Sequence, residues 1–310
     1  MTERSGTHPP DRGADRHPWH LGAVTTVTPE DAGWTYCGLR ISVLEPGESV
    51  TCTTGGEELA VLPLSGGAVT VEVEGRRFEL EGRASVFDRV TDWAYLPIDA
   101  EVRITADQGA EVALPSARAT RRFDPVHVPA GDVAVEIRGA GQATRQVTNF
   151  MSPEAFDGAD KLMCVELLTP DGNWSSYPPH RHDDSPECPV NNEEIYYFRI
   201  GRTGRDGYAA EGFAMHRTYA PDGPEGSAGF DANVAVHDGD VFVIPRGYHG
   251  PCVAAPGYPL YYLNVLAGPG GERSMAFCDD PTHHWVRDAW EGMPLDPRVP
   301  MTGAGGQVAP

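Results

Sequence analysis

Short apolar runs closed by turn residues dominate this chain and constrain its fold most. Between about residues 21 and 120 they read RISVLEPGESV, ELAVLPLSGGAVTVEV, RRFELEG, RASVFDRV, WAYLPI, EVRITA and EVALPSA. Gly, Pro, Asp or Asn clusters separate them at intervals of roughly 8–12 residues, a spacing that suits strands and tight turns. Few windows carry the 3.6-residue apolar period of an amphipathic helix. A chain without such helices must bury its apolar side chains between sheets, so the expected fold is all-β, an antiparallel sandwich or barrel. The rhythm pauses over 121–145 and returns from about 146 to 268 in LMCVELLTP, EEIYYFRI, GFAMHRTYA, ANVAVHDGDVFVIP, GPCVAAP and PLYYLNVLAG. Two β modules of similar size are therefore expected. Residues 1–20 read as a flexible tail, 21–135 as the first module and 136–270 as the second. Residues 271–310 read as a tail packed on the barrel with a frayed end.

Composition narrows the function. The formal net charge of −21 opposes nucleic acid, which needs clustered Lys and Arg, and equally opposes anionic membranes. Cys37, Cys52, Cys164, Cys188, Cys252 and Cys278 are scattered without a CxxC pair, so reduced, mostly buried thiols are expected. The opening MTERSGTHPPDRGADRHPWH has no apolar stretch of the kind that heads secreted chains, so a cytoplasmic location is expected. Edge strands leave a homo-oligomer open.

The histidines separate the modules. None falls between residues 21 and 126, and seven fall between 180 and 284. His180 and His182 stand two apart, which on a strand puts both imidazoles on one face. Carboxylates follow in EEIYYFRI, and His249 closes GDVFVIPRGYH. Three neutral imidazoles and a carboxylate suit one divalent ion such as Zn, Mn, Fe, Ni or Co. Glu194 shares a strand face with Tyr196 and Phe198, and Glu193 points the other way. Asp183, Asp184, Glu187 and Glu193 remain open as alternatives to Glu194.

These two segments resemble the paired motifs of the cupin superfamily, the second of them matched by Gly239, Pro245, Gly247 and His249. The resemblance implies two cupin-type barrels (double-stranded β-helix, or jelly-roll), the first without metal ligands, and a metal held by His180, His182, Glu194 and His249. The first motif departs from the pattern, because eleven residues (DDSPECPVNNE) separate His182 from Glu194 where the superfamily has only a few. DGNWSSYPPHRHD, EEIYYFRI, HRTY, VIPRGYHG, YYLNVLAGP and a late DPTHHW resemble more narrowly the 5-deoxy-glucuronate isomerase family of myo-inositol catabolism. GRASVFDRVTDWAYLP and RQVTNF extend that likeness over most of 21–290.

The family resemblance implies an aldose–ketose isomerisation of a small uronate. In one route a proton leaves C2, an enediolate forms and a proton returns at C1; in the other a metal-assisted hydride shift needs no base. Glu194, Tyr196 and Asp183 are the candidate proton-handling groups, with Tyr177 a further donor. A uronate carboxylate calls for arginine, preferably bidentate. Arg217, with Tyr219 on the same face, is the first candidate, followed by Arg145, Arg181 and Arg246. Tyr177, Tyr262 and Asn264 are candidates for the sugar hydroxyls. His216, His237, His283 and His284 are read as structural, and Trp93 or Tyr95 as possible contributors from the first module. The competing readings are 5-keto-4-deoxyuronate isomerase, a cupin iron dioxygenase and a non-enzymatic sugar-binding module.

Overall fold

The structure, a computed structural model, describes residues 18–223 and 227–308. The expected flexible tail therefore lies, up to residue 17, outside the described residues. Two sheets build the first sandwich. In the six-stranded one the order is Val126–Val128, Trp93–Leu96, Glu57–Gly66, Ala110–Arg118, Cys37–Leu44 and Thr26–Val27. The four-stranded one runs Glu48–Thr53, Glu101–Ala106, Val69–Val73 and Arg76–Leu80.

The second sandwich is larger. Its eight-stranded sheet runs His20–Gly22, Val241–Val243, Glu193–Arg202, Leu260–Ala267, Met163–Thr169, Arg145–Met151 and Ala134–Arg138, with Arg205–Tyr208 paired onto Glu193–Arg202. Opposite it lie Phe230–Val236, Ala214–Ala220, Tyr248–Ala254, His180–Arg181 and Cys278–Asp279, with Trp174–Ser175 on Tyr248–Ala254. The Ala134–Arg138 strand, which straddles the expected division at 135/136, belongs to this second sandwich. So does His20–Gly22, although it precedes the whole first module.

Three apolar layers hold these sheets together. Val61, Val71, Ile104 and Val112 fill the first sandwich. Tyr196, Phe198, Phe242 and Tyr262 fill the second. The third layer lies between the modules, where Leu39, Leu62, Leu64 and Trp93 meet Ile195, Tyr197, Tyr261 and Leu263. The period-2 pleat explains how one strand serves two layers. Along Glu193–Arg202, Tyr196, Phe198 and Ile200 face the second sandwich, while Ile195 and Tyr197 face the first module. Strands covered on both sides read as continuous apolar runs, as YYF and LYYLNVLA do.

Buried polar contacts fix the junction. The Glu58 carboxylate accepts from the backbone N–H of Asp160, Lys161 and Leu162 and from Tyr95 Oη. Glu193 accepts from the N–H groups of Thr35, Tyr36 and Cys37. Arg83 and Glu166 form an ion pair fully inside the layer. Trp93 packs edge-on against Phe150 and Phe156, so it and Tyr95 are junction residues and not pocket contributors as expected.

The C-terminal segment returns to the second sandwich, where Gln146 Oε1 accepts from the N–H groups of Met301 and Thr302. The expectation of six free thiols is corrected: a disulfide joins Cys188 to Cys278 with a Cα–Cα distance of 5.6 Å. The partners are 90 residues apart, and no linear spacing reveals such a pair. Among the described residues, no helix is long and apolar enough to cross a membrane.

Candidate active site

His180 and His249 sit opposite one another in antiparallel register, and Glu194 projects toward them from the facing sheet. The eleven-residue insertion leaves the barrel as a hairpin, Asp183–Ser185 with Cys188–Asn191, and the chain re-enters at Glu193. The insertion thus lengthens the loop without moving the carboxylate from the site. The disulfide at Cys188 ties this hairpin to the Cys278–Asp279 strand, which itself pairs with His180–Arg181.

His182, Glu194 and His249, all buried, bring one ligand atom each to within 4.8 Å of one another. His182 Nε2 lies 2.8 Å and His249 Nε2 3.0 Å from the same oxygen, Oε2 of Glu194. His180 is outside this tight group, although its ring centroid is 4.3 Å from that of His249.

The donor chemistry fits a cation. The Nδ1 atoms of His180 and His182 lie 3.0 and 2.9 Å from the carbonyl oxygens of Pro178 and Asn192. A carbonyl only accepts, so each Nδ1 carries a proton and each ring turns its Nε2 inward. Burial opposes charge on His182, but Glu194 outweighs it and holds that imidazole above its usual value. A lone pair facing a carboxylate oxygen is repulsive unless a positive charge lies between them. His249 Nε2 is close to Glu194 without being aligned for a hydrogen bond, and its Nδ1 has no partner among the described residues. Burial, then neighbouring His249, holds the His180 imidazole well below its usual value, so it is neutral at pH 7. Burial pushes the Glu194 carboxyl up, but His249 and His182 outweigh it and hold that group well below the carboxylate range.

A cavity of about 850 Å³ opens beside this group. His180, His182, Glu194, Tyr196, Tyr177, Tyr262, Asn264 and Arg145 line it. Glu194, Tyr196 and Asn264 reach it because Tyr196 stands opposite Asn264 in register and both point into the second sandwich. Tyr196 Oη lies 3.2 Å from Ser176 Oγ. Burial, then the Glu194 charge, pushes the Tyr196 phenol well above the tyrosine range, so it remains protonated. Asn264 Oδ1 and Arg145 Nε are buried without a hydrogen-bond partner among the described residues.

Other expected residues lie elsewhere. Arg217 and Tyr219 do not line the cavity, which corrects their assignment to the sugar. Along Ala214–Ala220 the buried positions are Ala214, His216, Thr218 and Ala220, so the pleat turns Arg217 and Tyr219 outward. There Arg217 forms a bidentate pair with Asp231 at 2.9 and 2.7 Å, and Tyr219 Oη donates to Asp280. His216 takes the inward position, beside Phe242 and Cys252. Asp183 is also corrected as a proton-handling group. Arg181 grips its carboxylate at 2.7 and 2.8 Å, and the Gly247 N–H donates to it at 2.6 Å, outside the cavity. Arg181 is spent on that contact, and Arg246 donates to the carbonyls of Pro221 and Ala228.

Arg287, Trp290 and Phe277 line the cavity without having been singled out. They come from the C-terminal segment, and no periodicity or spacing links them to strands more than a hundred residues earlier.

The chain is similar over most of its length to proteins already characterised. Residues 15–286 match the KduI/IolB family. The 5-deoxy-glucuronate isomerase of Geobacillus kaustophilus is 38% identical over 272 residues, which span 86% of this chain and 92% of that protein. A crystal structure of an IolB-like protein from Salmonella typhimurium superposes with a TM-score of 0.75 at 31% identity, covering 86% of this chain and 95% of that one. Lactobacillus farciminis oxalate decarboxylase shares the fold alone, with a TM-score of 0.56 at 16% identity over 87% of this chain and 90% of that one.

Proposed function

The chain belongs to the KduI/IolB family, and from that premise we propose that it is a metal-dependent aldose–ketose isomerase. Its substrate would be 5-deoxy-D-glucuronate and its product 5-dehydro-2-deoxy-D-gluconate, in myo-inositol catabolism. The observation that carries this reading is the convergence of His182 and His249 on one carboxylate oxygen of Glu194 at the wall of a sugar-sized cavity. His182, Glu194 and His249 would hold a divalent transition metal, with His180 as a fourth ligand. When bound, such an ion supplies Lewis-acid polarisation of the sugar carbonyl.

The chain's own residues supply the remaining functions. Tyr196, kept as a phenol, would donate to a sugar oxygen as charge develops there. Asn264, with its unpartnered Oδ1, and Tyr262 and Tyr177 would orient the hydroxyls. Arg145 would meet the anionic end of the substrate. Apolar residues beneath Tyr196 and Tyr262 close the barrel below the site and exclude water from the exchanging proton.

The test is incubation of metal-replete protein with 5-deoxy-glucuronate in deuterated water without oxygen, followed by NMR. Product carrying deuterium at the carbon that was the substrate's C1 is expected. No turnover would sink the isomerase reading. A strict requirement for oxygen would move the protein to the dioxygenases.

A further inference from the structure

Three arginines face the cavity, and they are not equivalent. Arg138 is paired with Glu136, and Arg287 grips both oxygens of Asp279. Arg145 is 7% exposed, and among the described residues no carboxylate forms an ion pair with it. Its Nη1 donates to Ala143 O at 3.2 Å, and its Nε has no partner. A buried unpaired cation is costly, and proteins hold one only where something else supplies the charge. Burial, together with Arg138 and Arg287 nearby, lowers the Arg145 guanidinium to about 10, so it is still charged at neutral pH.

The surroundings fix this group in place. A Cβ on Gly139, which has φ +77°, would lie 2.7 Å from Arg145 Nη1 and 2.1 Å from Ala143 O, so the guanidinium lies close against backbone that bears no side chain. On its other side stands Trp290. The Arg145 Cζ is 6.0 Å and the Arg287 Cζ 5.7 Å from the centre of that ring. The C-terminal segment is held there by Pro294, whose carbonyl accepts from the Gly141 N–H at 2.9 Å.

We propose that Arg145, with Trp290 and Arg287 of the C-terminal segment, forms the subsite for the substrate's carboxylate and makes the cavity selective for uronates over neutral sugars of the same size. The inference rests on the isomerase reading for its substrate class. An anion here would satisfy the free donor of Arg145, relieve the repulsion among three cations and accept the bidentate grip for which no carboxylate among the described residues is the acceptor. Trp290 spaces the two arginines and shields the pair from water.

Calorimetric titration of the metal-replete full chain with glucuronate and, separately, glucose tests this without requiring turnover. The wild-type chain should prefer glucuronate. Arg145→Gln should weaken glucuronate by roughly a hundredfold and leave glucose unchanged. Arg145→Lys, which keeps the charge but loses the fork, should lose roughly tenfold and serves if the glutamine variant does not fold. Arg287→Gln and Trp290→Ala should each weaken glucuronate several-fold. Equal weakening of both sugars, or glucuronate affinity unchanged by Arg145→Lys, would overturn the subsite. Arg145-dependent binding of glucuronate without isomerisation of 5-deoxy-glucuronate would uphold the subsite and sink the activity.

Discussion

Glu194 is a buried carboxylate approached by two imidazoles, His182 with its Nδ1 proton directed to the Asn192 carbonyl and His249 with an Nδ1 that has no partner among the described residues. A cation at the centre would join these three groups, so loss of metal is the expected consequence of changing any ligand. Glu194→Gln and His249→Ala should each bind divalent metal at least about tenfold more weakly, as measured by competition with a chelator. Full stoichiometry at the wild-type affinity in His249→Ala would show that the ion is held elsewhere. Tyr196→Phe separates a chemical role from a binding role. The phenol touches Ser176 and fills the barrel, so removing only its oxygen should lower kcat by roughly a hundredfold with KM and metal content nearly constant. A rise in KM alone would mean that Tyr196 only orients the sugar.

Strand alternation decided which side chains the site could use, and one glycine within a strand decided how close the backbone could come to its neighbour. Gly250 has φ +94°, and a Cβ there would lie 1.8 Å from the Ser176 carbonyl oxygen. That contact seats the His249 strand against the loop carrying Ser176 and Tyr177. Gly250→Ala must open the contact and adopt an unfavourable backbone, a cost of about 2 kcal/mol or more. A lower melting temperature and weaker metal binding are expected together, and a variant with both unchanged would show that the close approach is dispensable. Arg217 gives the opposite case. Its pair with Asp231 is exposed, and such pairs contribute less than about 1 kcal/mol. Arg217→Ala should leave KM for the uronate within about twofold, a result that would separate it from Arg145.

The two sandwiches share a buried layer, so the molecule should unfold as one body. The loop around Asp160 is a main tie between them, with Glu58 accepting from the backbone of residues 160–162. The Asp160 carboxylate in turn accepts from the N–H groups of Thr120 and Arg121 and from the Arg121 side chain. Burial pushes this carboxyl up, but those hydrogen bonds prevail and lower it to about 2. Folding thus favours the ionised form. The resulting stability is complete above the unfolded value near 3.8 and is lost as pH falls through about 2. Asp160→Asn should cost about 1–2 kcal/mol at pH 7, and the gap to the wild type should close toward pH 2. A gap that is constant with pH would assign the loss to packing. Calorimetry should show a single transition, because separating the modules would expose Leu62, Trp93, Tyr197 and Leu263 together.

The sequence by itself determined the fold class and brought His182, Glu194 and His249 together as one expected group. Turn residues at short intervals force strands, a strand's period of two sets Glu194 beside Tyr196 and against Glu193, and the GDVFVIPRGYH segment carries His249 at a recognisable turn. These are local consequences of backbone geometry, and they survive an eleven-residue insertion because a hairpin leaves and re-enters a barrel without shifting it. Only the tertiary structure decided which arginine lines the cavity. Arg217 and Arg145 both lie on strands, and no sequence pattern says which face of either strand is covered. The pleat of Ala214–Ala220 turns Arg217 to solvent, while Arg145 is buried without a carboxylate. Its partners Trp290 and Arg287, like the link between Cys188 and Cys278, come from residues remote in the chain. Such proximity is a property of the packed layers, which depend on all the strands at once and on no single segment.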